Sequence, residues 1–219
     1  MTDIPKTPFF CIDKKGFDDA IDGFKKALDT YWPNYVIGYS YKTNSLPWIV
    51  EYAKDNGLVA EVVSDDEYNL ALAIKADSIL YNGPAKSEYT FNHALDHDFL
   101  VNIDTKRELR WLREYCIDNP EHLCRVGIRA NFDIESYCPG ESACGNEGGR
   151  FGFCIDNSEF ESAVEYVRNI PNAFLSGLHI HCSSKSRGID IYMAIAEVAC
   201  KLQKKYGFDL FFFFQSVLI

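Results

Sequence analysis

Short apolar runs alternate along this chain with longer stretches whose apolar residues recur at helical spacing. Tyr35 to Tyr41 is aromatic and β-branched, which predicts a strand. Leu46 to Asn56 has helical spacing and stops at Gly57, a natural C-cap. Leu58 to Val63 is a short apolar strand. Ser64 and Glu67 then form a Ser-x-x-Glu capping box that opens a helix to about Lys75. Ser78 to Tyr81 reads as a strand broken by Asn82-Gly83-Pro84. Ser87 to Leu95 reads as helix and Phe99 to Ile103 as strand. Asp104 or Thr105 caps a helix through Tyr115 and Cys116. Arg125 to Arg129 is a strand, followed by a glycine-rich loop from Asn131 to Gly152. Ser158 to Asn169, begun by Asn157 or Ser158, is an amphipathic helix. Ala173 to His181 is a strand, Gly188 to Tyr206 a helix, and Asp209 to Phe214 another strand.

Repeated β-then-α units imply parallel strands joined by crossovers, in a closed barrel or an open doubly wound sheet. A full (β/α)8 barrel usually takes about 250 residues. With 219 residues, the expectation is a chain that stops short of closure. The Phe211 to Phe214 run is biased: an unpaired strand of phenylalanines is an aggregation hazard. A truncated or frameshifted end is therefore expected, with residues 211–219 an atypical hydrophobic tail.

Composition narrows the function classes. The net charge of −10 argues against a nucleic-acid binder, which needs a positive face, and against an anionic membrane surface. No apolar stretch approaches the roughly 20 residues of a spanning helix. The start shows no basic segment leading into an apolar run. The eight cysteines contain no Cys-x-x-Cys spacing, and read as reduced thiols of a cytoplasmic protein.

Several residues can carry chemistry. Alternation along Val36 to Lys42 puts Val36, Gly38, Ser40 and Lys42 on one face. A lysine ending an inward face of small residues is expected to be partly desolvated and able to form a Schiff base; the plain alternative is a solvated strand-end lysine. His179 and His181 share a face near a strand end, where a histidine serves as metal ligand, base, stacking partner or core residue. The Ser-rich turn after Cys182 offers hydroxyls and N–H groups suited to a phosphate. Arg129 ends an apolar strand and Arg150 lies among glycines; each can meet an anion or form a surface ion pair. Glu67 has the capping box as its plain role.

Six segments, in order, resemble the diaminopimelate/ornithine/arginine decarboxylases, pyridoxal-phosphate enzymes with an alanine-racemase-like barrel. Tyr39-Ser40-Tyr41-Lys42-Thr43-Asn44 resembles their Tyr-x-x-Lys-x-Asn. Ala60-Glu61-Val62-Val63-Ser64, with Glu67, is similar to the second-strand motif, and Tyr81 to Lys86 to the Asn-Gly-Pro-x-Lys turn. Gly127 to Asn131, Arg150-Phe151-Gly152 and Gly177 to Ser184 complete the set; Ser183 departs from the pattern, standing where the family has Gly.

The resemblance implies an α/β fold, a (β/α)8 TIM-barrel-like domain over residues 1–210, incomplete at its C-terminus. It implies pyridoxal 5'-phosphate as cofactor and a basic amino acid as substrate, decarboxylated by a homodimer in full-length members. Lys42 would hold the cofactor covalently, His181 would stack on its ring, and Ser184 would touch its phosphate. Arg129 would pair with Glu67 near the cofactor, with Asn44 and Arg150 as further contacts. The family's Gly-Gly-Gly phosphate loop, its acid for the ring nitrogen and its C-terminal β domain do not occur in the sequence, so an inactive or impaired fragment is expected. Two alternatives remain open: a non-catalytic pyridoxal-phosphate-binding barrel, and a metal-dependent barrel hydrolase using His179 and His181 with a cysteine as third ligand.

Overall fold

The computed structural model describes residues 8–144, 149–182, 184–186 and 188–213. Ser183 and Phe214 lie outside the described residues. Among the described residues, 8–37 form one compact unit and 38–213 another. The first unit holds α1 (Lys14–Tyr31), an amphipathic helix the strand-and-helix pattern above did not include; the Asp13 carboxylate caps it by accepting from the Gly16 N–H at 3.0 Å.

The second unit is a parallel sheet with helical crossovers. Its elements in order are β1 (Gly38–Ser40), α2 (Pro47–Asp55), β2 (Val59–Ser64), α3 (Asp65–Ala73), β3 (Ile79–Ala85), α4 (Glu88–Asp96) and β4 (Leu100–Ile103). Next come α5 (Lys106–Asp118), β5 (Cys124–Asn131), β6 (Phe153–Cys154), α6 (Glu159–Arg168), β7 (Ala173–Ile180), α7 (Ile189–Tyr206) and β8 (Leu210–Phe213). The strands lie in the order β1-β2-β3-β4-β5-β7-β8, with β6 pairing the last two residues of β5. A doubly wound sheet would reverse its order at a switch point. This one does not, so it is the barrel alternative, and among the described residues β1 and β8 do not pair. β8 pairs in register with β7, from Gly177↔Leu210 to Ile180↔Phe213.

Two details correct the expected elements, and a third decides between the two candidate caps of α5. β3 runs through Asn82-Gly83-Pro84 instead of stopping there. Pairing with β4 already ends at Tyr81↔Val101, so the N–H that Pro84 lacks is not needed on that side. Gly83 takes φ +81° at a register shift against β2, where a Cβ would lie 2.8 Å from the Val63 carbonyl oxygen. β1 is shorter than expected: Tyr41, Lys42 and Thr43 form a turn, closed by the Thr43 hydroxyl on the Ser40 carbonyl at 2.7 Å. Thr105, not Asp104, caps α5, which leaves Asp104 available to the sheet interior.

Alternation sorts the strands into two faces. Val62, Tyr81, Val101, Ile103, Val126 and Ile128 are buried on one. Glu61, Asn82, Asn102, Gly127 and His179 occupy the other, and the side chains among them are buried polar groups. Asn82 donates to Glu61 at 2.8 Å, and Asn102 donates to Asn82 at 2.7 Å. Gly127 is required beside this ladder, because a Cβ there would fall 1.8 Å from Asn102 Oδ1. Packing and a polar layer thus share one sheet, and the layer points toward the strand ends where chemistry is expected.

Candidate functional site

A cavity of about 280 Å³ opens at the C-terminal ends of the strands. Lys42 after β1, Arg129 at the end of β5, His181 after β7, and Arg150 and Phe151 from the long loop all line it. The turn after β1 presents Lys42, and the Tyr39 hydroxyl steadies that turn by donating to the Asn44 carbonyl at 3.1 Å. The expectation that Lys42 is desolvated is corrected: the residue is exposed at the cavity rim, because β1 ends before it.

The charge of Lys42 reaches two carboxyls. Burial pushes Glu61 up from the usual carboxylate range, opposed by the Ser40 hydroxyl, the Asn82 amide and then Lys42. Burial also pushes Glu67 up, opposed by the Val63 N–H and Lys42. Glu67 Oε2 accepts that N–H at 2.8 Å, while its own N–H donates to Ser64 Oγ at 3.3 Å. Half of the expected capping box forms, Ser64 Oγ on the Glu67 N–H, while the Glu67 carboxylate takes the Val63 N–H one residue before the cap.

This corrects the expected Arg129–Glu67 pair. Arg129 instead donates from Nη1 to Asp104 Oδ2 at 2.8 Å, with both side chains buried. Asp104 Oδ1 accepts the Gly152 N–H at 2.9 Å. Gly152 has φ +79°, and a Cβ there would sit 2.8 Å from the Arg129 carbonyl oxygen, so only glycine fits. The Arg129 guanidinium lies 5.3 Å from the Phe151 ring centroid. Asp104 thus ties β4, β5 and the Arg150-Phe151-Gly152 segment together.

Below it lies a second buried pair. Lys86 donates to Glu108 Oε2 at 3.3 Å, to the Asn102 carbonyl at 2.9 Å and to the Gly83 carbonyl. Glu108 Oε2 also accepts the Asp104 N–H at 2.7 Å. Burial lowers Lys86 and raises Glu108, and each partner's charge opposes the shift on the other. Sequence reasoning missed Asp104 and Glu108 as network members. The Lys in Asn-Gly-Pro-x-Lys was the available signal for Lys86, since a lysine in a motif of turn residues needs a reason.

The remaining expected residues divide. His181 is half-buried and lines the cavity. His179 is fully within the interior, opposite Arg129 in register, and neither ring nitrogen has a hydrogen-bond partner among the described residues. Burial, and then the charges of Arg129 and His181, hold it well below the usual histidine range. Asn44 does not line the cavity; its side-chain carbonyl accepts the Leu46 N–H at 3.2 Å. Ser184 also lies off the cavity lining, and its hydroxyl donates to the Ser186 carbonyl at 2.6 Å. Among the described residues no three metal-ligating side chains converge, and no helix is long and apolar enough to cross a membrane.

The cavity fits a pyridoxal phosphate. It offers an accessible amine at Lys42, an imidazole at His181, and guanidinium groups at Arg129 and Arg150. Arg129 Nε is a buried donor without a partner among the described residues, which suits a polar ligand at this wall.

Comparison with known proteins agrees. The chain is 27% identical over 210 residues to the diaminopimelate decarboxylase of Aquifex aeolicus (strain VF5), covering 93% of this chain and 48% of that protein. It is 24% identical over 203 residues to that of Bacteroides thetaiotaomicron, covering 91% and 52%. The chain spans about half the length of the curated relatives it matches. Among solved structures, a Helicobacter pylori diaminopimelate decarboxylase complexed with L-lysine superposes with a TM-score of 0.78 at 23% identity, over 95% of this chain and 53% of that one. The Methanocaldococcus jannaschii enzyme in complex with L-lysine gives 0.76 at 20%, over 90% and 46%; these two show the fold. The family described as pyridoxal-dependent decarboxylase, pyridoxal binding domain, matches residues 17–213. The chain therefore belongs to the pyridoxal-dependent decarboxylases, by way of their pyridoxal binding domain.

Proposed function

We propose that this chain is the cofactor-holding half of a carboxy-lyase acting on a basic amino acid of the diaminopimelate type, with Lys42 as the residue that carries pyridoxal phosphate. The observation that carries the reading is the cavity, which joins Lys42, Arg129 and His181 from three separate strand ends. The bound cofactor supplies an electron sink for the electrons left when CO2 departs.

The chain's own groups prepare for that. Lys42 is exposed, so its amine is within reach of an incoming carbonyl. Glu61 and Glu67, held by the Asn82 amide and the Val63 N–H, both sense the Lys42 charge and so set the electrostatic field around its amine. His181 offers a planar ring against which the cofactor ring stacks, worth roughly 1 kcal/mol. Arg129, held by Asp104, and Arg150 supply positive charge for a phosphate or a carboxylate. Ser184 and Asn44 support the phosphate turn and the Lys42 turn. The proposal extends to a cytoplasmic homodimer, supported by the family resemblance.

A non-catalytic cofactor carrier is the second reading. The family match, which is to the pyridoxal binding domain, supports it.

Adding pyridoxal phosphate to the protein should produce an absorbance band at the visible edge of the ultraviolet. Borohydride should then fix the cofactor to Lys42, read by peptide mass. Label on Lys54 or Lys86 instead would overturn the assignment. Release of CO2 from labelled diaminopimelate separates the enzyme from the carrier.

A further inference from the structure

We propose that Cys144 and Cys182 form a redox-active dithiol at the cavity mouth, a modification site at which a hydroperoxide installs a disulfide that restricts access to the cofactor pocket. An isolated antiparallel bridge pairs Ser142 with Ser184. The same approach is held by the Lys185 N–H on the Glu141 carbonyl at 2.8 Å and the Ser186 N–H on Glu141 Oε2 at 2.9 Å. Two cysteines lie two residues from the bridge, one on each of the segments it joins, and the charge of the one beyond Ser142 reaches the one before Ser184. Those residues are Cys144 and Cys182. A bridged pair such as Ser142 and Ser184 has Cβ atoms about 4.5–5.5 Å apart, so the two segments approach each other on the scale of the roughly 3.5–4.5 Å that a disulfide spans.

Both cysteines line the cavity, and Cys182 follows His181 directly. They differ in exposure: Cys144 is half-buried, whereas Cys182 is 8% exposed. Burial pushes the Cys182 thiol up to about 12, Arg129 opposes this, and Cys138 and Cys144 add to it. Cys144 is therefore the attacking sulfur and Cys182 the resolving one. The Cys144 thiolate attacks the hydroperoxide, the O–O bond breaks, and Cys144 becomes a sulfenic acid with release of water or alcohol. The Cys182 sulfur then displaces the sulfenic hydroxyl, which leaves as water with the thiol proton, and the S–S bond forms. Two thiols are oxidised and one peroxide is reduced. The bond pins the 142–144 segment to the residue beside His181. Its effect on cofactor uptake rests on the pyridoxal-phosphate reading; the bond itself does not.

The test treats the protein with hydrogen peroxide and maps peptides without reductant. Tryptic fragments 130–150 and 169–185 should appear joined, and dithiothreitol should separate them. The join should persist in Cys138→Ser and vanish in Cys144→Ser, with circular dichroism confirming that both variants fold. A join that depends on Cys138, oxidation confined to the buried Cys116 and Cys124, or irreversible oxidation of Cys144 would overturn the proposal. Pyridoxal phosphate binding should weaken at least tenfold on oxidation and recover on reduction; unchanged binding to linked protein would overturn the gating role. Reduced protein that fails to bind the cofactor at Lys42 would count against the proposed function alone, since the mass result needs no cofactor.

Discussion

At the cavity rim Lys42 and Arg150 are exposed and His181 is half-buried. One layer deeper, Glu61, Asn82, Asn102, Lys86, Glu108 and Asp104 are buried and bonded to one another. Both regions are built from charged and amide side chains at strand ends. They differ in what a lost partner costs. A rim group exchanges its partner for water, so it can also exchange it for a ligand. An interior group has no such exchange, because water does not replace the missing bond. The interior layer thus fixes strand positions, and the rim keeps its groups available for chemistry.

The largest effect should come from splitting the buried pair. Glu108→Leu leaves Lys86 charged in the interior and should cost about 3–5 kcal/mol, a fall in melting temperature of roughly 10 °C. The double variant Lys86→Met/Glu108→Leu should recover most of that loss. Equal melting temperatures for the single and double variants would erase the contrast between the layers. Gly127→Ala comes next: its Cβ would meet Asn102 Oδ1 at 1.8 Å. It should cost about 3 kcal/mol, the upper part of the overpacking range, as read by urea unfolding.

A pH dependence sharpens the comparison. Burial and the charge of Arg129 keep His179 neutral when folded, while the unfolded chain takes up its proton below about pH 6.5. The folded pKa is depressed, so this group leaves stability unaffected above that pH and reduces it as pH falls below. The loss is about 1.4 kcal/mol per pH unit, near 2 kcal/mol at pH 5. His179→Leu should remove that part of the slope between pH 7 and 5; identical slopes would show that His179 protonates in the folded state. The smallest effect on stability belongs to the rim. Lys42→Ala should change unfolding free energy by no more than about 0.5 kcal/mol, yet abolish covalent cofactor attachment. A large loss of stability would place Lys42 with the interior layer.

Much of the fold was legible in the sequence. The caps at Ser64 and Thr105, the stop at Gly57 and the alternation in β4, β5 and β7 are local signals, and the elements follow them to within a few residues. The misses have a common cause. Pro84 lies inside β3 because pairing with β4 has already ended, which no local pattern encodes. Ser158 begins α6 at φ +66° without a side-chain cap, while the Asn157 side chain accepts the Glu159 N–H at 3.1 Å; the boundary was legible but its mechanism was not.

Within the site the division is the same. The sequence by itself determined which residue types stand at strand ends, because period-two alternation and turn residues act over a few positions. From these Lys42, Arg129, Arg150 and His181 could be named. Only the tertiary structure decided their partners. Glu67 and Asp104 are both carboxylates close to a helix start, and either could have met Arg129. Glu67 is committed to the Val63 N–H beside it, whereas Asp104 lies just after β4, next to β5, and is buried where an unpaired charge would be costly. Partner choice depends on strand order and on desolvation, and both are set by residues far apart in the chain.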